Sequence, residues 1–333
     1  MASSAKVTLA RIAQELGISV STVSRALNLD PSVQEATRQR VVVMARELGY
    51  TPPVAGAVKT TDLIALCLPA RYTDQRHHFY TSGVIQGCFT AMRSSSQILS
   101  LIAGEELNDG RLLRLLPSLC GILIVRDEPP PSGSDDVIHM IQIAERLNEK
   151  EHRILDLYLP TVFFGAVSDT DLAAYDHAAV VDIDNYGAGQ RAVRYLYAKG
   201  HRLIAHIGGP AGRLSAEARR KGYEDALRDL GLEVPSDYVR PARDWQPSEG
   251  YRAMQDMLGT VSPRPTAVFC ASDALASGAE KAIAGVGLGV PSDISLIGHD
   301  NSEHAIADEL TTLDHQLQAL AFEGLDLLTR LIK

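Results

Sequence analysis

Residues 8–28, TLARIAQELGISVSTVSRALN, decide the reading of this chain. Leu9, Ile12, Ala13 and Leu16 recur at helical spacing behind Thr8, a residue able to cap the first free N–H groups. Gly17 ends that helix, because a residue without Cβ tolerates the left-handed turn. Ser19 caps a second helix whose apolar side is Val23, Ala26 and Leu27. Its other side shows Val20, Ser21, Thr22 and Arg25. Short hydroxyls and one arginine on the open face of a short second helix suit entry into a DNA groove. The plainer reading of the same residues is a small helical hairpin with ordinary polar exposure.

Working outward, Ser32 and Glu35 have capping-box spacing, and the helix they open runs to Gly49. A stretch of small residues and prolines follows, TPPVAGAVKTT. From Leu63 onward, apolar runs alternate with amphipathic ones. LIALCLP, QILSLIA, GILIV and TVFFGAV predict buried parallel strands of one lobe, and LIAHIGG, TAVFCAS and ISLIGHD strands of a second. Helical patterns near 80–93, 185–199, 217–230, 248–258 and 274–284 separate them. The fold class expected is α/β: an all-α headpiece followed by two doubly wound lobes, with ligands held at the carboxyl ends of the strands. The expected boundaries are a headpiece at 1–51, a hinge at 52–61 and a two-lobed effector-binding and dimerisation unit at 62–333. The stretch EPPPSGSDDVIHMIQIAERLNEKEHR predicts a loop and an extra surface helix near 136–149.

The order TLARIAQELGISVSTVSRALN, SVQEATRQRVVVMARELGYTP, VVDIDNYGAGQRAVRYL, GHRLIAHIGGP, ARRKGYEDAL, RPTAVFCASDALASGA, GVPSDISLIGHDN and LTTLDHQ resembles the lactose/galactose-repressor family of bacterial transcription regulators along nearly the whole chain. The resemblance is thinnest between Arg71 and Asp176. It implies lobes like those of periplasmic sugar-binding proteins, a homodimer, double-stranded operator DNA as partner and a small effector in the cleft. It also implies that Arg25 and the pair Val20–Ser21 read bases while Thr8, Ser19, Thr22, Ser24 and Asn28 hold phosphates. Val58 stands where the family inserts a hinge leucine into the minor groove. Valine is the smaller wedge, and Gly56 weakens a hinge helix.

Composition agrees with such a partition. The 333 residues carry a net charge of −9. Residues 1–59 hold seven basic side chains against four acidic ones, a balance of +3 that leaves −12 on the remainder. A basic head on an acidic body suits a protein that meets phosphates with one end only. No apolar run reaches membrane-spanning length and the N-terminus has no signal-peptide core, so no membrane partner and a cytoplasmic location are expected. Cys67, Cys88, Cys120 and Cys270 form no CxxC pair and are expected as buried thiols. With the last helical pattern running almost to Lys333, no tetramerising tail is expected.

Enzyme readings find little support. GAGQRA imitates a dinucleotide fingerprint, but the acid expected about 20 residues later is missing. Asp182 and Asp184 share a strand face with no second acid or histidine cluster beside them in sequence. No GxSxG, HExxH or P-loop occurs. No catalytic residue, cofactor or metal is expected.

The binding reading gathers Asp273 and Asp300, each after a strand, Arg219 at the helix after Gly208–Gly209–Pro210, and Trp245, the single tryptophan. Carboxylate, guanidinium and indole together can hold a polyhydroxy or anionic small molecule. Taken alone, each has a plainer role: Asp273 can cap the helix DALASGAEKAI, Asp300 a turn, Trp245 can fill core, and Arg219 can be a solvated charge. The resemblance favours the pocket, since the matching arginine, tryptophan and last aspartate line the family's effector site. Phe79, Tyr80 and Arg126 join them as expected effector contacts. Arg71, Arg76, His77, His78 and Arg126 would favour a sugar phosphate or sugar acid if they face the cleft; a solvated loop is the other reading. Ser272 stands where many relatives have asparagine. The functional expectation is a DNA-binding repressor controlled by a sugar or sugar derivative. The alternative is a small-molecule-binding or enzymatic α/β protein with an accessory headpiece.

Overall fold

A computed structural model describes residues 8–27, 30, 32–48, 50, 62–68, 78–93, 95–103, 118–126, 149–156, 158–167, 169–233 and 235–333. The headpiece is three helices: α1 (Leu9–Leu16), α2 (Val20–Leu27) and α3 (Glu35–Glu47). Their shared core is Ile12, Ala13, Val23, Ala26, Val33, Val41, Ala45 and Tyr50, with Leu9, Leu16 and Leu27 packed against it. Gly17 sits at φ 65, as its left-handed turn requires, and the Ser19 hydroxyl accepts from Thr22 N at 3.0 Å. Two caps differ from expectation. Thr8 makes no side-chain cap; its carbonyl accepts from Arg11 N and Ile12 N. Ser32 does not open α3, because its hydroxyl donates to the nearer carboxylate of Asp30 at 2.6 Å, and the Gln34 carbonyl takes Thr37 N and Arg38 N.

The body holds two parallel five-stranded sheets. Lobe one contains β1 (Leu63–Leu68), α4 (His78–Met92), β2 (Ile98–Ala103), β3 (Leu119–Val125), α5 (Glu149–Leu155), β4 (Thr161–Phe164), α6 (Asp169–Leu172) and β5 (Ala178–Val181), ordered β2-β1-β3-β4-β5. Lobe two contains α7 (Asn185–Ala198), β6 (Ile204–Gly208), α8 (Leu214–Asp229), β7 (Val239–Pro241), α9 (Pro247–Thr260), β8 (Ala267–Cys270), α10 (Asp273–Gly285), β9 (Ser295–Asp300), α11 (Glu303–Ala307) and β10 (Thr312–Asp314), ordered β10-β9-β8-β6-β7. The last helix, α12 (Leu317–Ile332), does not stay with lobe two. Leu317, Leu320, Ala321, Leu325 and Leu328 enter the lobe-one core beside Val84, Leu123 and Phe164. The chain therefore crosses between the lobes at 182–184 and again at 315–316, where Gln316 takes φ 51.

The seven strands read from apolar runs are present. The strand expected before GAGQRA is β5, but it ends at Val181, so Asp182 and Asp184 lie beyond it and Asp184 caps α7. The short strands β7 and β10 were not foreseen; β5, β7 and β10 each lie at a sheet edge and none contains a fully buried residue. The expected surface helix near 136–149 lies outside the described residues except at its end, where α5 begins. Val58, Asn28, the hinge at 52–61 and the cations Arg71, Arg76 and His77 also lie outside them, as does the side chain of His78. GAGQRA is a packing feature: a Cβ on Gly189 would stand 2.1 Å from the Arg219 carbonyl oxygen, so glycine lets α7 close on α8. Among the described residues, no helix is long and apolar enough to cross a membrane. All four cysteines are free; Cys67, Cys88 and Cys270 are buried and Cys120 half-buried. Burial pushes the Cys67 and Cys88 thiols up to about 12.

Candidate functional site

Two places gather chemistry. On the headpiece, Ser19, Val20, Ser21 and Arg25 are exposed on α2, while Val23 and Ala26 on the opposite side are fully buried. The Arg25 Nε donates to the Ser21 carbonyl at 3.3 Å, which lays the guanidinium along the helix surface. Ser19 Oγ lies 2.8 Å from Ser21 Oγ and 2.7 Å from Thr22 Oγ1, so the three hydroxyls form one polar patch at the start of α2. Thr22 and Ser24 are half-buried at its margins, and Thr8 is exposed just before α1.

The second place lies where the lobe-two strands end. β6 and β8 are neighbours whose following helices continue in opposite directions along the sheet, the position at which open α/β sheets bind ligands. Arg219 projects there from α8 with its side chain 5% exposed. Its Nε donates to Asn185 Oδ1 at 2.9 Å and one terminal nitrogen to the Ala271 carbonyl. The other terminal nitrogen lies 3.1 Å from His315 Nε2, and Asp300 Oδ1 is 3.9 Å from the guanidinium. Asn185 follows the first interlobe crossover and His315 lies in the second. One buried guanidinium thus ties both crossovers to the ends of β8 and β9.

Asp300 is held by unusual backbone. It takes φ 129 and Asn301 φ 59. Such conformations cost a non-glycine residue about 1–3 kcal/mol and persist where surrounding contacts enforce them. His299 Nδ1 lies 3.2 Å and His315 Nε2 3.1 Å from Asp300 Oδ1. Burial opposes the Asp300 charge, but the hydrogen bonds from His299 and His315 and the Arg219 charge hold its carboxyl well below the usual range. His299, Asp300 and His315 could ligate a metal by spacing alone. The guanidinium 3.1 Å from His315 Nε2 makes that a poor place for a dication. Trp245 packs so closely over Gly209 that a Cβ there would stand 2.2 Å from the indole, and its ring lies 5.7 Å from the Arg219 guanidinium carbon. Phe79, from lobe one, lies 6.1 Å from the His315 ring.

Three sequence expectations change. Asp273 is fully buried and both its oxygens are spent: Oδ2 accepts from Ser302 N at 2.8 Å and Ser302 Oγ at 3.0 Å, and Oδ1 from the Thr312 hydroxyl. It clamps the loop after β9 to β10 and offers nothing to a cleft ligand. Nor does it cap α10; Ser272 does, accepting from Leu275 N at 3.2 Å. Arg126 is not a free cleft cation. Its side chain is 9% exposed, pairs with Glu151 on α5 at 2.8 Å and donates to the Ala166 carbonyl. Removing one member of a buried pair strands the other charge. Arg126→Ala is expected to destabilise the body by about 3–5 kcal/mol, measured as a lowered urea midpoint; an unchanged midpoint contradicts the assignment. Tyr80 is half-buried against the lobe-one core.

Buried imidazoles give the body a pH signature. Burial lowers His206 to about 4 and His299 to about 3, and lowers His315 as well. Each is neutral in the fold but takes a proton near 6.5 when unfolded, so the unfolded state binds more protons and stability falls as pH drops from there towards 4. Asp273, raised by burial to about 6, acts oppositely between 3.8 and 6, one group against three. Urea midpoints are expected to fall steadily from pH 7 to 4.5; a flat profile contradicts this.

Known proteins share this headpiece and this two-lobed fold. The family model described as bacterial regulatory proteins, lacI family, matches residues 8–53, and the periplasmic binding protein-like domain matches residues 193–333. The HTH-type transcriptional repressor PurR of Klebsiella pneumoniae (strain 342) is 31% identical over 331 residues, covering 96% of this chain and 89% of its own. The chain belongs to the lacI family. A PurR repressor of Escherichia coli O1:K1 / APEC is 30% identical with the same coverage. Among solved structures, a transcriptional regulator CelR–cellobiose complex superposes with a TM-score of 0.61 at 26% identity, covering 98% of this chain and 93% of its own. The lac repressor dimer bound to operator and the anti-inducer ONPF gives 0.59, at the same identity and coverage. The two curated relatives are HTH-type transcriptional repressors, and the CelR protein is a transcriptional regulator.

Within this lacI-family chain, sequence reasoning missed His315, His299 and Asn185. His315 is 96 residues from Arg219 and Asn185 is 34, so no local pattern links them. The available signal was LTTLDHQ itself, a histidine directly after an edge strand. Of the residues expected at the effector site, Arg219, Asp300, Trp245 and Phe79 converge.

Proposed function

We propose that this chain is a cytoplasmic, sequence-specific transcriptional repressor that binds a near-palindromic operator as a homodimer. A small effector between the lobes, a sugar or sugar derivative such as a sugar phosphate or sugar acid, controls operator affinity. The headpiece is 1–51, the hinge 52–61 and the effector-binding and dimerisation unit 62–333. Arg25, Val20 and Ser21 read bases; Thr8, Ser19, Thr22, Ser24 and Asn28 hold phosphates; Val58 enters the minor groove. Arg219, Asp300, Trp245 and Phe79 meet the effector. No catalytic step is proposed.

The observation that carries this reading is the guanidinium of Arg219. It bonds both interlobe crossovers while standing beside Asp300 and Trp245. A ligand that competes for those groups has different contacts in open and closed lobes, which is what shifting a conformational equilibrium requires. The relatives supply the DNA half: one is a lac repressor dimer solved on operator. The test is a gel shift with genomic fragments, repeated with a panel of sugars and sugar phosphates. Failure to select any fragment over random DNA removes the repressor reading.

Lobe one offers a surface for the second copy. Ile98 and Leu101 on the edge strand β2 are 63% and 44% exposed, and Phe89 on α4 and Phe322 on α12 are 50% and 47% exposed. A single headpiece covers too little DNA to be both tight and selective, and a twofold pair meets half-sites about one helical turn apart. Ile98→Glu with Leu101→Glu is expected to shift the full chain to monomer in sedimentation velocity. A double variant that stays dimeric at low micromolar concentration rules this surface out.

A further inference from the structure

The turn that carries Asp300 is held from a distance. β9 pairs with β10 as far as the register Asp300–Asp314, and Gly298 N donates to the Thr311 carbonyl at 2.8 Å. Two residues after Asp300, the amide and hydroxyl of Ser302 both donate to Asp273. The chain must therefore reverse within Asp300 and Asn301, and it does so at φ 129 and φ 59. Positive φ is costly for a residue with a Cβ, so contacts on both flanks must enforce it.

Those contacts converge on one carboxylate. Asp273 Oδ2 accepts from Ser302 N at 2.8 Å and Ser302 Oγ at 3.0 Å, while Oδ1 accepts from the Thr312 hydroxyl. The same Thr312 oxygen accepts from Asn301 N at 3.3 Å, so Asp273 reaches the amide of the turn through one relay. Ser302 stands at the N-cap position of α11 yet makes no side-chain cap, because its hydroxyl is spent on Asp273. Gly298 makes room for this: a Cβ there would lie 2.2 Å from Asp273 Oδ1. Bonds to an ionised acceptor are roughly twice as strong as neutral ones, and three meet on this fully buried group. The Asp300 side chain does not impose the turn. Its oxygen is 3.9 Å from the Arg219 guanidinium, and a side chain can seek an ion pair by changing rotamer rather than φ.

We propose that Asp273 is a positioning residue: acting through Ser302 and Thr312, it imposes the positive-φ turn at Asp300–Asn301 and so sets the Asp300 carboxylate beside His299 and Arg219. Its consequence for control rests on the effector-site reading above. The turn itself is testable without any ligand, so the two fail separately.

Residue 301 reports the turn. Glycine and alanine there both lack the Asn301 bond to Asp314 and differ chiefly in their tolerance of positive φ. In the otherwise wild-type full chain, Asn301→Gly is expected to have an unfolding constant about tenfold smaller than Asn301→Ala in urea. With Asp273→Ala added, that gap is expected to close to within about twofold, because a relaxed turn no longer favours glycine. Thr312→Val keeps the shape of the side chain and removes only the relay, so the gap should shrink below about threefold, whereas Thr312→Ser should keep it whole. His299 gives the second readout, since its Nδ1 lies 3.2 Å from Asp300 Oδ1. In the 15N-histidine-labelled chain near neutral pH, with His299 assigned by comparison with His299→Gln, the Nδ1 proton is expected to exchange slowly in wild type and Thr312→Ser. It is expected to exchange fast in Asp273→Ala and Thr312→Val. If Asp273→Ala does not fold, Thr312→Val decides alone. A lowered urea midpoint with both readouts unchanged marks a merely structural role and overturns the proposal, as does a tenfold gap that persists in Thr312→Val.

Discussion

Arg219→Ala is expected to remove the effector response and to destabilise the body by about 3–5 kcal/mol, because a buried carboxylate is left without its charge partner. The guanidinium also satisfies Asn185 Oδ1, the Ala271 carbonyl and one side of the His315 cluster, so its loss unpairs groups on both crossovers at once. Asp300 carries the main penalty, since it sits at φ 129 and is 16% exposed. Arg219→Lys separates the two effects. An ammonium keeps the charge near Asp300 but cannot point donors in three fixed directions. That variant should unfold closer to wild type yet fail to transmit effector binding. The checks are urea unfolding of the full chain and operator affinity by fluorescence anisotropy with and without effector. An Arg219→Ala protein with a wild-type midpoint and a wild-type response would take this residue out of the site.

Arg25→Ala is the second large effect. One bidentate arginine–base contact is worth about 1–3 kcal/mol of discrimination, and a twofold dimer loses it at both half-sites, so about 2–6 kcal/mol is expected on the specific operator. Binding to random DNA should fall far less, because phosphate contacts dominate there. The exposed position of Arg25 on α2, with the core side chains Val23 and Ala26 on the other side, means the substitution leaves headpiece packing intact. Equal losses on operator and random DNA would make Arg25 a phosphate contact instead.

The two sites were not equally legible. The headpiece is written in short-range chemistry: apolar spacing of three and four, one αL glycine, one serine cap. Each acts within a few residues, so the sequence displays it. The capping failure of Ser32 shows where even local rules stop, since Asp30, two residues before it, competed for the same hydroxyl. Asp273 and Arg126 were misassigned because a charged residue after a strand looks the same in sequence whether it faces the cleft or a partner behind it. Ser302, Thr312 and Glu151 decided those cases, at separations of 29, 39 and 25 residues.

What the sequence determined by itself was therefore the class of the longer elements, the division into headpiece and two lobes, and the side of α2 that stays exposed. These follow from periodicity and caps, which are properties of neighbouring residues. The tertiary structure alone decided that α12 returns to lobe one, that the crossovers at 182–184 and 315–316 lie beside each other, and that Arg219 bonds both. The physical reason is burial. Leu317, Leu320 and Leu325 can leave water only against the lobe-one core, and that return places His315 beside a guanidinium 96 residues away.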